Sequence, residues 1–344
     1  MIQRILPLLY FFLLIPSTIW ALSPCDTQYR ADIRSTLKDD AIDESSGLVA
    51  SLREKGLFWT HNDSGDRGRI FGIDAGGETR AIATLFQNGK DFEPYDAEDI
   101  AIGPCSQKGG RCLFLADVGD NDEERPAVFV YHFAEPSIGK TKIVDFTTTE
   151  IRYPDGAHNV EALIVDPNSM SAKGPMGYLI EKTKGDARVW RVRLDGGKNK
   201  AKQVAIIKAR DSGFLGGLIT GADVSPDGSV LAIRTYESIT LLCSKKSGRS
   251  SDKEFVNMFT SSKIKSIIPP DSMQAESIAF GFGGSLWYTS ENTPAPLVSL
   301  RPYSAAKKEK GCQCSSLGNE KGVPFLLLVI LGLVAFRKRK LFRN

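Results

Sequence analysis

Apolar runs of about five residues, each ending on a polar or charged side chain, return at near-regular intervals along this chain. They are Leu57-Phe58-Trp59-Thr60-His61, Leu113-Phe114-Leu115-Ala116-Asp117, Tyr178-Leu179-Ile180-Glu181-Lys182, Val230-Leu231-Ala232-Ile233-Arg234 and Leu286-Trp287-Tyr288-Thr289-Ser290. A turn before each lies an acidic phrase: Glu44-Ser45-Ser46-Gly47-Leu48, Glu98-Asp99-Ile100-Ala101, Glu161-Ala162-Leu163-Ile164, Asp223-Val224-Ser225 and Glu276-Ser277-Ile278-Ala279, about 53 to 63 residues apart. Self-similarity at this period, with strand patterns inside every unit, predicts an all-β fold of the β-propeller type.

Each unit reads as a blade. In the first, Gly47–Ala50, Leu57–His61, Arg69–Ile73 and Thr79–Leu85 are strand-like and are separated by polar, glycine-containing turns. The second repeats the plan with Leu113–Ala116, Val128–Phe133 and Thr147–Tyr153, and the third with Tyr178–Ile180, Val189–Leu194 and Gln203–Ile207. The fourth uses Val230–Ile233, Ile239–Cys243 and Glu254–Phe259. The fifth lacks a fourth strand after Leu297–Leu300, and Asp32–Leu37, which precedes the first acidic phrase, is the candidate to fill that place. Such a loan closes the ring and removes a sheet edge that would template aggregation. Five blades are counted, and the longer spacings of the second and third units leave room for a sixth.

The two ends of the chain carry a different pattern. Residues 1–21 join an early Arg4 to the apolar stretch Ile5–Ile15 and then to small and turn-forming residues, the layout of a secretory signal peptide. Cys25 invites a lipoprotein reading, against which Pro24 stands where a small residue is needed. After the domain at 22–303 come a polar linker, 304–322, with Cys312 and Cys314, an apolar segment, 323–336, and a basic tail, 337–344. Fourteen apolar residues span roughly 21 Å as a helix, short of a hydrocarbon core of about 30 Å. The Cys-x-Cys pair, short apolar helix and Arg/Lys-rich stop resemble the MYXO-CTERM sorting tail. That resemblance implies cleavage near the cysteines by a sorting protease and display on the outer envelope or cell surface. The alternative is a single-pass membrane anchor with a cytoplasmic basic end.

Composition adds two constraints. The net charge is +3 with several positive charges in the tail, so the domain itself is near neutral and does not have the footprint of a nucleic-acid binder. Cys105 and Cys112 flank a turn-rich loop, and in an oxidising compartment they are expected to form a disulfide; Cys25 and Cys243 remain as a second candidate pair.

Equivalent positions in successive blades surround the central axis, so Glu44, Glu98, Glu161, Asp223 and Glu276 are expected to gather at the channel. Clustered carboxylates raise one another's pKa or demand a cation, and calcium suits hard oxygen ligands. The competing reading, which repetition in every blade favours, is that each carboxylate accepts backbone amides of the neighbouring blade and acts as a bracket. The ends of the second strands are less symmetric, with Asp63, Asp117, Asp120 and Asn121 as candidate metal ligands in glycine-containing acidic loops, and Glu291 beside the ring. Asp-Gly pairs are also ordinary turn chemistry. Lys182 and Arg234 are candidate donors to a phosphate or carboxylate, or simple neutralisers of the acidic ring. His61 and His158 are the two candidate bases, although a loop histidine is more often a packing residue. Serine-hydrolase, nucleotide-loop and zinc-protease motifs are missing from the sequence.

The phrases Asp96-Ala97-Glu98-Asp99-Ile100-Ala101, Asp117-Val118-Gly119-Asp120-Asn121, Asn159-Val160-Glu161-Ala162-Leu163 and Asp223-Val224-Ser225-Pro226-Asp227-Gly228 resemble exported bacterial propellers of the phytase-like esterase, TolB-like and SdiA-regulated type. The resemblance implies a calcium-assisted phosphoesterase ancestry. Two functions follow as expectations. One is an envelope-displayed propeller that binds a small anionic ligand or an envelope protein at its central face with calcium. The other is a calcium-dependent phosphoesterase or lactonase acting on an anionic substrate.

Overall fold

The computed structural model describes residues 24–105, 110–169, 174–208, 217–244, 251–270, 274–291 and 293–303. The expected signal peptide at 1–21, the linker with Cys312 and Cys314, the apolar segment at 323–336 and the basic tail at 337–344 lie outside the described residues. Among the described residues no helix is long and apolar enough to cross a membrane.

Five sheets, each built on four antiparallel strands, follow one another along the chain as the blades of a β-propeller. Blade one runs from its inner strand Ser45–Ala50 through Leu57–Asn62 and Arg69–Asp74 to the outer strand Thr79–Gln87. Blade two uses Ala97–Pro104, Arg111–Asp117, Val128–Ala134 and Thr147–Arg152, and blade three Val160–Val165, Met176–Glu181, Ala187–Arg193 and Lys202–Ile207. Blade four comprises Ile219–Val224, Val230–Thr235, Ile239–Cys243 and Ile264–Ile267. Blade five contributes Ala279–Phe280, Leu286–Tyr288 and Pro296–Tyr303, and its outer strand is Gln28–Thr36 from the start of the domain. That strand pairs antiparallel with Pro296–Tyr303, from Gln28 opposite Tyr303 to Thr36 opposite Pro296. The loan expected from the sequence therefore closes the ring.

Apolar side chains do not meet at one centre but in five separate cores, one between each pair of neighbouring blades. Trp59 and Ile70 of blade one face Leu115 and Tyr131 of blade two, and Phe114 of blade two faces Trp190 of blade three. Tyr178 meets Ile233 and Phe255 between blades three and four, and Leu241 meets Tyr288 between four and five. At the closing seam Phe58 packs on Trp287, with ring centroids 4.7 Å apart. Inner and second strands are consequently buried along almost their whole length. This explains why the sequence shows continuous apolar runs where a one-sided sheet would alternate. Burying a large side chain of this kind stabilises the fold by roughly 1.5–3 kcal/mol.

Polar contacts near the axis tie each blade to the next. Asp99 of blade two accepts the N–H groups of its neighbour Ile100 and of Leu163 in blade three, each at 2.8 Å. Asp223 of blade four accepts those of Val224 and of Phe280 in blade five, each at 2.7 Å. The closing seam uses hydroxyls. The Thr60 hydroxyl donates to the Gly47 carbonyl at 2.7 Å, which makes it the acceptor from Ser45 at 2.9 Å. Ser45 in turn accepts from Thr289 at 2.9 Å, and Thr289 from Ser277 at 2.7 Å. One hydrogen-bond chain thus runs in a single direction from blade five to blade one, and every member is buried.

Two departures from the sequence reading have local causes. Glu254–Phe259, expected as the outer strand of blade four, lies almost wholly in a short helix, Asp252–Met258. Ser251 caps it by accepting the Glu254 N–H, and Phe255, Met258 and Phe259, spaced three and four apart, fill the core between blades three and four. Ile264–Ile267 supplies the outer strand instead. The extra length of units two and three holds no sixth blade. It supplies Gly139–Ile143, parallel to the outer strand of blade one, and Gly197–Lys200, parallel to that of blade two, so each unit stitches itself to the preceding blade.

Both candidate disulfides are formed. Cys105 and Cys112 close the hairpin of blade two, and Cys25 joins Cys243, which fastens the segment ahead of the closing strand to blade four across a separation of 218 residues. Because so long a loop is constrained in the unfolded chain, Cys25→Ser is expected to lower stability by up to about 5 kcal/mol. Urea denaturation of wild type and variant under oxidising conditions measures this. The difference should vanish when both proteins are reduced.

Candidate functional site

Each inner strand begins with an irregularity in its pairing to the second strand. In blades two, three and four the register skips between Ala97 and Asp99, between Val160 and Ala162, and between Ile219 and Gly221. The skipped residues are Glu98, Glu161 and Thr220. In blade five Glu276 follows Ala275, which bridges Ser290, and so takes the corresponding place. A skipped residue leaves the ladder and turns its side chain out of the regular alternation. Glu98, Glu161 and Glu276 are 4%, 2% and 3% exposed, so three carboxyl groups are buried at one end of the channel.

A second tier comes from residues that follow the second strands. Asp63 donates its N–H to the Glu44 carbonyl at 3.0 Å, Lys182 donates to Asn159 at 3.1 Å, and Glu291 donates to Gln274 at 3.3 Å. In blade two it is Gly119 that donates, to Asp96 at 3.2 Å. This glycine is required by its surroundings: a Cβ there would lie 2.1 Å from Oε1 of Glu98 and 2.4 Å from Oδ2 of Asp96. With no side chain at Gly119, both carboxylates can rest against the backbone.

Carboxyl oxygens of Asp63, Asp96 and Glu98 all lie within 4.8 Å of one another. Burial raises the Glu98 carboxyl, and the neighbouring carboxyl groups of Glu161, Asp63 and Asp96 raise it further. Lys182 lies 3.1 Å from Glu161 and 5.4 Å from the centre of the Tyr236 ring. Burial alone would lower the Lys182 ammonium, but Glu161, Glu276 and Tyr236 outweigh it and hold its pKa above the usual lysine range. Lys182 thus neutralises the blade-three side of the cluster, Arg125 partly offsets Asp96, and Asp63 and Glu98 form no ion pair among the described residues.

The carboxyl groups register this imbalance. Burial, reinforced by Asp96 and Glu161, pushes Asp63 up to about 7. Burial raises Glu276 to about 8 although Lys182 opposes it. Asp96, Glu98 and Glu291 are raised too, in each case chiefly by burial and then by neighbouring charges. One oxygen of Asp63, Oδ1, is buried without a hydrogen-bond partner among the described residues. An all-oxygen donor set of this kind suits a hard cation, whose ligands sit at about 2.3–2.6 Å and so lie at most roughly 5 Å apart.

The other residues singled out by sequence are placed as follows. Glu44 is exposed ahead of the inner strand of blade one, and Asp223 forms the backbone bracket between blades four and five. Asp117 accepts the N–H groups of Tyr95 and Asp96, the Tyr131 hydroxyl and Arg125, the last at 2.7 Å; it anchors the segment that aims Asp96. Asp120 accepts the N–H groups of Glu124 and Arg125, and Asn121 accepts from Asn159. His61 is 1% exposed, accepts the Gly47 N–H at Nε2 and donates from Nδ1 to the Asn62 carbonyl, and burial lowers its pKa to about 4. His158 is stacked on Trp190 and held by Asp155 at 2.9 Å, with the Arg188 guanidinium donating to Nδ1 at 3.0 Å. Arg234 is fully buried over the Tyr288 ring. Sequence reasoning missed Asp96 and Tyr236 as members of the cluster. Asp96 stands directly before an inner strand, as Glu44 does, and that alignment was the available signal.

No protein-family model matches the chain, and no curated relative matches it. Accordingly no family match accompanies the phytase-like, TolB-like or SdiA-regulated resemblance or the MYXO-CTERM tail. Among solved structures the chain is similar to the crystal structure of the major allergen Mala s 1 of Malassezia sympodialis, with 11% identity and a TM-score of 0.48, over 79% of this chain and 97% of that one.

Raised carboxyl pKa values bind protons in the folded state that the unfolded chain has released. In metal-free buffer the stability contributed by Asp63 and Glu276 is therefore complete below about pH 4 and is lost as pH rises through about 7 to 8. Asp63→Asn, which mimics the protonated group, should match wild type in thermal unfolding at about pH 3.5 with EDTA and exceed its melting temperature at pH 8.5. Equal differences at both pH values would contradict this account.

Proposed function

We propose that this protein is an exported β-propeller that binds a divalent cation, calcium by preference, at the acidic end of its channel and uses it to hold a small anionic ligand or an envelope partner at the central face. The observation that carries the reading is the group of Asp63, Asp96 and Glu98, whose oxygens lie within 4.8 Å of one another while the nearby ammonium of Lys182 is committed to Glu161. Carboxylates alone favour a hard ion over a thiolate- or imidazole-seeking one. Gly119 supplies the clearance against which two of the ligands, Asp96 and Glu98, pack.

Binding is favoured over catalysis because His61 and His158 have their ring nitrogens engaged by protein groups. The two disulfides support an oxidising compartment, in line with export and display at the outer envelope or cell surface. The fate of the tail, sorting or simple anchoring, belongs to the same proposal.

Calorimetric titration of EDTA-treated protein with calcium at pH 8 should give one site per chain, weakened at least ten-fold in Asp63→Asn and in Glu98→Gln. Because cation and proton compete for the same oxygens, affinity should fall as pH drops from 8 to 6. No heat and no stabilisation by calcium or magnesium would overturn the cation site. Turnover of phosphate esters or lactones that is abolished by EDTA and by Asp63→Asn would replace the binder with a hydrolase.

A further inference from the structure

Arg234 stands apart from the cation arrangement. It lies on the second strand of blade four, opposite Gly221 in register, and its side chain is 0% exposed. Its Nε, Nη1 and Nη2 all lack a hydrogen-bond partner among the described residues. One face of the guanidinium is covered by the Tyr288 ring, 4.7 Å from its centroid. The five in-plane N–H donors of an arginine are then left without a protein acceptor.

A buried guanidinium cannot escape by losing its proton. Burial brings its pKa down only to about 10, so it stays charged at neutral pH. Opposite Arg234, Gly221 has no side chain to compete for the donors, and a Cβ there would come within 2.5 Å of the Glu276 carbonyl oxygen. Tyr288 and Glu276 favour the charge from nearby, but neither accepts a hydrogen bond from the guanidinium and burial raises Glu276 to about 8. A buried charge with unpaired donors is costly, and such groups in stable proteins are paired.

We propose that Arg234 holds a small monovalent inorganic anion, of halide size, inside the propeller. A single guanidinium balances one negative charge, since the other cation nearby, Lys182, is already paired with Glu161. Size follows from burial: with no part of the side chain reaching the surface, a phosphate or carboxylate attached to a larger molecule has no path to it. The anion sits between blades four and five and exchanges with solvent through local opening of that interface. Planar N–H groups around a halide replace the hydration it loses, as charge-assisted hydrogen bonds do elsewhere.

The inference is independent of the cation site, and its test keeps the two apart by using EDTA throughout. The melting temperature of the purified protein is measured in sodium chloride and in sodium gluconate at equal ionic strength. Wild type should melt roughly 5 °C higher in chloride once the halide is about hundred-fold above its dissociation constant, and Arg234→Met should show no difference between the salts. Crystals grown with bromide should give an anomalous peak within about 3.5 Å of the guanidinium nitrogens. Equal melting in both salts, an undiminished chloride effect in Arg234→Met, or ordinary water in place of the bromide peak would each overturn the proposal. If Arg234→Met does not fold, the wild-type salt comparison and the bromide map decide alone.

Discussion

Every blade of this protein has two faces that must be covered, and that requirement governs the rest of the structure. A sheet with apolar residues on both sides cannot stand at the end of a row, so the row must bend into a ring and its last member must meet its first. The five interblade cores are the result. Closure then becomes the step on which all of them depend, because an open ring would expose the Phe58 and Trp287 seam. The fold reinforces this closure with the shared outer strand and the chain of buried hydroxyls, while the disulfide between Cys25 and Cys243 fastens the start of the closing strand to blade four.

The same ring geometry creates the chemistry. Once five inner strands converge, whatever leaves the ladder at their starts is forced into a shared, poorly hydrated space. Blades two, three and five place glutamates there, while blade four places Thr220. Lys182 of blade three is paired with Glu161 of the same blade, whereas Asp63 and Glu98 of blades one and two and Arg234 of blade four form no ion pair among the described residues. The proposed cation answers the first imbalance and the proposed anion the second.

Much of the fold was legible because strand, turn and acidic phrase recur together. The repeat located the inner and second strands, and the incomplete fifth unit pointed to the loan from the chain's beginning. What the sequence concealed was frame. Asp223 looks like the fourth member of the Glu98, Glu161 and Glu276 series, yet pairing register gives that place to Thr220 and sets Asp223 three residues further along the strand. A shift of this size changes a channel residue into a bracket, and only the hydrogen-bond register reveals it. The helix at Asp252–Met258 was hidden because seven residues with three large apolar side chains fit a strand nearly as well. Asp96 was hidden because its role depends on Asp117, whose contacts to Tyr95, Asp96 and Arg125 fix a loop that local patterning reads only as a turn.

The closing strand has a mechanical side. Gln28 and Tyr303 are registered partners at one end of the same pair of strands. Tension drawn through the two ends of the propeller therefore peels that pair apart one bond at a time, the weakest geometry a sheet can offer. Cys25 sits three residues upstream of Gln28 and is bonded to Cys243. A pull on the preceding chain is thereby diverted into blade four before it reaches the zipper, and the covalent link acts as a strain relief for the fold.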